Sequence, residues 1–355
     1  MTNYIIRRLL LIPVLLVGVS LIIFGMLQLL GPVERSALYV TDFPKNEKQI
    51  EGIIKKYGLD EPFLTQYWRW LTGVVDPVTG EREGGILYGD FGYSRTASQD
   101  VIDIIKTRFP NTVDLALWTI FPMISVGIWM GVKAAVNQNK FFDQAARIYS
   151  IVGTSFPTFV FGLLLLMLLY ANNQWFLPGK MSPWVDQLIR SDEGFRQITH
   201  LLSIDALLNL RFDVFWDALR HMIMPIITLS YISWATFVRV TRSSMLETLR
   251  MDYVTTARSK GLKESDVINK HARPNAMLPV VTMMGSSIVG LLGGVVITET
   301  VFNYPGIGKA AADAAAQLDV VTILGLAIFT GFILILSNLV VDILYAFIDP
   351  RVRLS

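Results

Sequence analysis

LLLIPVLLVGVSLIIFGMLQLL, residues 9–30, contains no Asp, Glu, Lys or Arg. Coiled as a helix at about 1.5 Å per residue, this run covers the roughly 30 Å hydrocarbon core of a bilayer. Moving outward from it, five more charge-free runs of comparable length follow, at 115–132, 148–179, 221–238, 274–298 and 320–341. Over all 355 residues the chain is 52% hydrophobic and 17% charged, against about 25% charged in soluble domains. The pattern predicts an all-α integral membrane protein: six transmembrane helices, with a sizeable extracytoplasmic helical segment between helices one and two.

Arg7 and Arg8 precede the first run as in a secretory signal. The run, however, exceeds the roughly 7–15 residues of a signal core, and no small-x-small cleavage site follows. It reads as a retained first span.

The 31 basic and 29 acidic residues leave a net charge of +2, which argues against a nucleic-acid binder dominated by phosphate contacts. With no cysteine, disulfides, thiolate metal sites and a cysteine nucleophile are excluded. Distribution says more than the total. With the N-terminus inside, the segments 1–8, 137–147, 242–275 and 346–355 sum to +7, while 31–109, 172–220 and 301–320 sum to −4. The inside loop 242–275 carries Arg242, Arg250, Arg258, Lys260, Lys263, Lys270 and Arg273. Basic loops stay cytoplasmic, so both termini are expected inside. The chain divides into a cytoplasmic N-terminus with the first span (1–30), an extracytoplasmic segment (31–112) and a five-helix permease core (113–355). That core includes the cytoplasmic loop 242–275 and the extracytoplasmic loop 172–220.

Ile50, Ile53, Ile54 and Tyr57 have amphipathic-helix spacing and are followed by Gly58 and Pro62. A second helical patch, Phe63, Tyr67, Trp70 and Leu71, comes next, and Val101, Ile104, Ile105 and Arg108 share a face leading into the second span, with Pro110 expected to mark a change of direction. These helices are expected to form a small cap packed on the membrane surface, with a specific partner-docking role as the alternative. Trp175, Trp184 and Trp216 in the second outside segment suit interfacial anchors. Gly290 and Gly294 have the spacing that lets membrane helices approach closely, which the reading favours over pore lining. Pro122, Pro157 and Pro225 fall within spans and are expected to kink them.

Enzyme chemistry finds little support. His200, His221 and His271 lie in separate regions, and no H-E-x-x-H occurs. The nearest serine elbow, Gly153–Pro157, lacks its second glycine. Asp114, Glu299 and Asp342 sit near span ends, not deep in the bilayer as an intramembrane protease would place them. Gly308 and Lys309 mimic the end of a phosphate loop, but Asn303 and Ala310 break the pattern. The chain thus has no nucleotide site of its own, and no cofactor or metal is expected on it. Energy for driven transport would enter through a partner.

The inside loop reads as a short helix before Gly261, a turn there, and a second short helix, a small basic knob. This stretch, from Asp252 through Ala257, Arg258, Lys260, Gly261 and Leu262 to His271, Arg273, Pro274 and Asn275, resembles the EAA loop of ABC importer permeases in the dipeptide/oligopeptide/nickel family. The resemblance extends over nearly the whole chain and is to the B-type permease. It is carried by Tyr4, Arg7, Arg8 and Pro13 at the start; by Tyr57-Gly58-Leu59-Asp60 with Pro62, Gln66 and Tyr67; and by Gly89-Asp90-Phe91-Gly92 with Ser94, Arg108, Pro110 and Thr112. Ser155, Pro157 and Phe159, Glu299-Thr300-Val301-Phe302 with Pro305-Gly306-Ile307-Gly308, and finally Asn338, Asp342, Tyr345, Asp349, Pro350, Arg351 and Arg353 continue it in order. Departures fall on the outer side: Gly31-Pro32-Val33-Glu34, Leu318-Asp319 and a long 178–225 segment. They bear on the binding-protein contact or the substrate class.

The resemblance implies a transmembrane subunit of a binding-protein-dependent importer in a bacterial or archaeal plasma membrane. Its implied partners are a second related permease, two ABC ATPases that carry the ATP and Mg, and an extracytoplasmic solute-binding protein. Ala257, Arg258, Lys260, Gly261 and Leu262 would couple to the ATPase, with Ala257 and Gly261 small enough to seat in its cleft. Gly290, Gly294, Glu299, Asn338 and Asp342 are the candidates for pathway or helix packing. Peptides are the favoured cargo, beside oligosaccharides and nickel. Two other classes remain open: a channel or secondary transporter working without ATPases, and an intramembrane peptidase.

Overall fold

In the computed structural model, residues 2–36, 39, 46–75, 80, 82–191 and 194–348 are described. The family-like ending Asp349, Pro350, Arg351 and Arg353 lies outside them. The chain opens with α1 (Thr2–Leu27). A cap follows, made of α2 (Pro32–Ser36), α3 (Glu47–Tyr57), α4 (Phe63–Thr72) and two antiparallel hairpins, β1–β2 (Val74–Val75 with Arg82–Glu83) and β3–β4 (Tyr93–Ser94 with Gln99–Asp100). Next come α5 (Val101–Val136), α6 (Phe141–Ser155), α7 (Thr158–Leu165), α8 (Pro183–Arg190), α9 (Leu202–Leu208) and the long α10 (Phe212–Thr248). The remainder is α11 (Asp252–Ser259), α12 (Glu264–Asp266), α13 (Arg273–Ala276), α14 (Leu278–Leu292), α15 (Val296–Val301), α16 (Ile307–Ala316) and α17 (Val320–Ile348).

Among the described residues, α1, α5, α10 and α17 are each long and apolar enough to cross a bilayer. Two bent pairs bring the number to as many as six. The first bends by 102° between α6 and the stretch Thr158–Ala171. Pro157 causes this break: it has no N–H to continue the α6 ladder, and it holds Phe156 in an extended conformation at ψ 121°. The second bends by 54° where Glu264–Ala276 meets α14. The charge-free runs 148–179 and 274–298 are therefore not single straight helices. Pro110 departs from expectation in the opposite sense, because α5 runs through it without ending. The carbonyl it frees belongs to Lys106, which is exposed to solvent that can serve it.

The cap helices match their sequence signals. Asn46 Oδ1 accepts the Gln49 N–H at 2.9 Å to start α3, and Gly58 at φ 63° ends it in the left-handed region that favours glycine. The cap is tied to α17 by Asp319, a buried carboxylate accepting from Ser94 Oγ (2.8 Å), Thr96 N–H (3.1 Å) and Thr322 Oγ (2.8 Å). Asp319 lies in one of the stretches that departs from the family pattern, and here it joins the cap to the last long helix.

The centre of the bundle is the contact of α5 with α10. Trp234 of α10 donates its indole N–H to the Pro122 carbonyl of α5 at 2.8 Å. A Cβ added at Gly127 would lie 2.5 Å from Phe237 Cβ, and one at Gly131 would lie 2.5 Å from Thr241 Cβ. These two glycines, four residues apart, are where the backbones meet closely. Gly290 has nothing within 4 Å of an added Cβ in this chain. Gly131→Leu is therefore expected to lower the membrane yield and melting temperature of the detergent-solubilised protein, whereas Gly290→Leu, with the same added bulk, leaves the isolated chain's melting unchanged. Equal melting temperatures for the two variants would refute this assignment of the packing glycines.

Candidate functional site

The loop between α10 and α14 folds into a convex knob. α11 turns Val254 and Ala257 inward, where they pack with Ala135 of α5, Met245 of α10, and Val267, Ala272 and Ala276. Ala257 is only 5% exposed, so its small size serves packing inside the chain, not a seat in a partner. The opposite face is exposed and carries Tyr253, Thr256, Arg258, Lys260, Gly261 and Leu262. Gly261 stands at the apex with φ 74° and open space around it, as a left-handed turn after a short helix requires.

Arg258 keeps the knob in shape. Its guanidinium lies 2.8 Å from Glu264 Oε1 across the Gly261 turn and donates to the Leu249 carbonyl at 3.4 Å. This hydrogen bond holds the Glu264 carboxyl below the usual range. Exposed pairs of this kind contribute little to global stability; the effect here is to close the turn. Lys260 and Leu262 are free to meet something outside. Beside the knob lies a recess of about 480 Å³ lined by Arg242, Ser243, Leu246, Glu247, Arg250 and Met251. The end of α10 that walls it is braced by Arg242, whose guanidinium forks onto the fully buried Asp143 of α6, with one bond at 2.9 Å. Convex knob and adjoining recess together form a rigid, shaped surface.

The second group of candidates does not form one site. Gly294 lies in the break between α14 and α15 at φ 96°, with an added Cβ 3.2 Å from Ile307 and 3.4 Å from Gly308. It is a bend, not the partner of Gly290 on one helix face. Gly290 shares an exposed stripe of α14 with Thr282 and Ser286. Asn338 is exposed on α17 and donates to its own helix at the Leu334 carbonyl (2.9 Å), and Asp342 is half-buried one turn on.

Glu299 is fully buried. Its carboxylate accepts from Thr112 Oγ of α5 (2.8 Å) and from the Lys309 N–H in the first turn of α16 (2.8 Å), while the Ile307 N–H donates to the same Thr112 hydroxyl (2.9 Å). Glu299 thus locks α5, α15 and α16 together, with its negative charge at a helix N-terminus. Another buried anchor, Asp114, leaves little local signal in the sequence. Asp114 accepts from the Ser203 N–H at 3.1 Å and from the Ser203 hydroxyl, which in turn accepts from Trp118 Nε1 at 2.7 Å. The only advance signal was a carboxylate near a span end.

Among the described residues no group of three or more His, Cys, Asp or Glu could hold a metal ion. The arrangement offers a braced knob with an adjoining recess and an exposed polar stripe on α14.

Comparison with known proteins identifies the family. Residues 123–354 match the family described as the binding-protein-dependent transport system inner membrane component, and residues 1–116 match its N-terminal membrane component. The chain is 34% identical over 355 residues to the oligopeptide transport system permease protein AppB of Bacillus subtilis, covering 99% of this chain and 100% of that protein. It is 34% identical over 353 residues to the dipeptide transport system permease protein DppB of Escherichia coli K12, covering 99% of each. It is 35% identical over 305 residues to the probable D,D-dipeptide transport system permease protein DdpB of the same organism, covering 85% of this chain and 84% of that one. The chain belongs to the inner membrane components of binding-protein-dependent transport systems, as a multi-pass B-type ABC permease, a transport subunit that relies on separate ATPases and a binding protein.

Proposed function

We propose that this chain forms half of the translocation pathway of an ATP-driven peptide importer and couples that pathway to the ATPases through the knob around Gly261. The observation that carries this reading is the knob itself. Its apolar side is anchored in α5, α10 and α13, and its outer side is left uncovered. A push on such a surface passes into the long helices instead of being absorbed by a loose loop. Peptide cargo is supported by the relatives, which are named for dipeptide, oligopeptide and D,D-dipeptide transport. Alternation between outward- and inward-open arrangements of two permeases would then follow ATP binding and hydrolysis on the partners.

In this reading the chain has six spans with both termini cytoplasmic, and its partners are a second related permease, two ABC ATPases and an extracytoplasmic solute-binding protein. The exposed Thr282, Ser286 and Gly290 stripe is where α14 faces the pathway or the sister subunit. Purification in mild detergent should recover the sister permease and two ATPases together; a chain that transports in vesicles without them would overturn the proposal in favour of a channel or secondary transporter.

Topology has its own test. Because the chain has no cysteine, single cysteines at Val75, Ile198 and Lys260, all exposed, report cleanly. Val75→Cys and Ile198→Cys are expected to react with an impermeant maleimide in intact spheroplasts, and Lys260→Cys only after lysis. The reverse pattern would invert the orientation.

A further inference from the structure

α3 and α4 are consecutive amphipathic helices of the same cap, and they expose opposite chemistry. The outward face of α3 carries Glu47, Lys48, Glu51, Lys55 and Lys56, as a helix in water should. The outward face of α4 carries Leu64, Thr65 and Trp68 and no charge; Leu64 is 72% exposed and Trp68 64%. The charged residues flanking that face, Glu61 and Arg69, are spent on each other at 2.8 Å. Leu87, on the short 3-10 turn that packs against α4, is exposed as well and extends the apolar surface, and beside it the exposed Tyr88 ring carries the Arg82 guanidinium at 4.3 Å.

The inward face of α4 fixes its depth. Tyr67 reaches Ser20 of α1, hydroxyl to hydroxyl at 2.7 Å, and the Phe63, Tyr67 and Trp70 rings lie 5.1–5.5 Å from that of Phe24. Gln66 meets Gln28 at 3.2 Å and the guanidinium of the buried Arg35. Ser20 lies seven residues before the end of α1 at Leu27, roughly 10 Å down the helix. At that level α1 presents Ile22 and Met26, both exposed, and α1 is a membrane-crossing helix that buries little of itself in the protein. The uncovered face of α4 therefore stands beside the last turns of a helix that is itself long and apolar enough to cross a bilayer.

We propose that α4 is an interfacial helix, seated in the bilayer leaflet that holds the C-terminal end of α1, with Leu64 and Trp68 in contact with lipid. The occupant is the headgroup–acyl boundary of that leaflet. Tryptophan and tyrosine are the residues that prefer this zone, and an uncharged apolar face is what a helix lying in it buries; here packing on α1 takes the place of the polar face that a free interfacial helix turns to water. Trp68 and Tyr88 would sit at headgroup level and Leu64 below them. The buried Arg35, which among the described residues contacts Gln28, Gln66 and the Leu59 carbonyl but no carboxylate, holds α4 to α1 from the protein side.

The test uses the assembled importer in phosphatidylcholine/phosphatidylglycerol liposomes, with accessible thiols on the partner subunits removed and single cysteines at Leu64 or Trp68 carrying a nitroxide. Collision rates with dissolved oxygen, which concentrates in lipid, and with a water-soluble nickel chelate are compared with those at Met26 (lipid face of α1) and Glu51 (water face of α3). The expected oxygen-to-nickel ratio at both positions is close to that at Met26 and several-fold above that at Glu51. A ratio equal to that at Glu51 overturns the proposal in favour of a water-facing cap. Loss of collisions with both reagents overturns it in favour of a protein partner covering α4.

Discussion

Replacing Gly261 with aspartate is expected to abolish ATP-driven uptake while the chain still inserts and pairs with its sister permease. Within the chain the substitution has room, since an added Cβ meets nothing within 4 Å. Its internal cost is the left-handed backbone at φ 74°, about 1–2 kcal/mol for an ordinary residue and less for Asp or Asn. The Val254–Ala257 face and the Arg258–Glu264 clasp are untouched. Any large effect must therefore arise outside the chain, where a carboxylate at the apex would enter the contact that Lys260 and Leu262 flank. Desolvating one unpaired charge in a protein interface costs several kcal/mol, and each 1.4 kcal/mol is about tenfold in affinity. ATPase co-purification and vesicle uptake should both fall by on the order of a hundredfold. Gly261→Asn carries the same backbone strain without the charge and is expected to retain a measurable fraction of both. Normal uptake by the Asp variant would show that the knob is not the coupling contact.

How much of this was readable from the residues depends on which physical signal each element left. The long apolar helices were legible because a run without charge has one good environment, and α3 because Asn46 and Gly58 mark both ends. The knob was legible as helix, glycine turn, helix. Breaks were harder to read. The run 274–298 carries no charge from end to end, and hydropathy alone does not separate the bend at Gly293–Gly294 from a straight helix; that bend depends on the packing of Gly294 against Gly308. Small-residue spacing occurs at both Gly290–Gly294 and Gly127–Gly131, and it is the second pair whose two members meet the facing α10 helix. A spacing rule identifies a face that permits close approach; the tertiary fold decides which such face has a neighbour. Ala257 teaches the same lesson from inside: small size alone cannot tell a packed position from a docking one, and only its burial does. The contacts Thr112–Glu299 and Ser94–Asp319 span 187 and 225 residues of sequence, so no local pattern could pair them.

Removing the Glu299 carboxylate is expected to be the most damaging single change to the stability of the permease. In Glu299→Leu the fully buried Thr112 hydroxyl and the partly buried Lys309 N–H both lose their acceptor. Buried donors left unpaired cost about 1–3 kcal/mol each, a large share of the roughly 5–15 kcal/mol that holds a typical domain. Glu299→Gln is expected to fall between wild type and Glu299→Leu, because its amide oxygen can still accept the Lys309 N–H while its amide N–H donates to the Thr112 hydroxyl, which can reverse its role. Thr112→Val also breaks two links, its bond to Glu299 and its acceptance of the Ile307 N–H at 2.9 Å, but it leaves the carboxylate its bond from Lys309. The expected order of melting temperature for the purified importer is wild type and Asn338→Ala together, then Thr112→Val, then Glu299→Leu. Gly308→Ala should fall with the last, since its Cβ would lie 2.8 Å from the Val296 nitrogen and 2.9 Å from Val296 Cα. Because Thr112 and Glu299 share one hydrogen-bond network, the double variant should lose less than the sum of the two single losses. If the losses add, or if Glu299→Leu melts with the wild type, Glu299 does not join α5 to α16, and the order of that region rests on apolar packing alone.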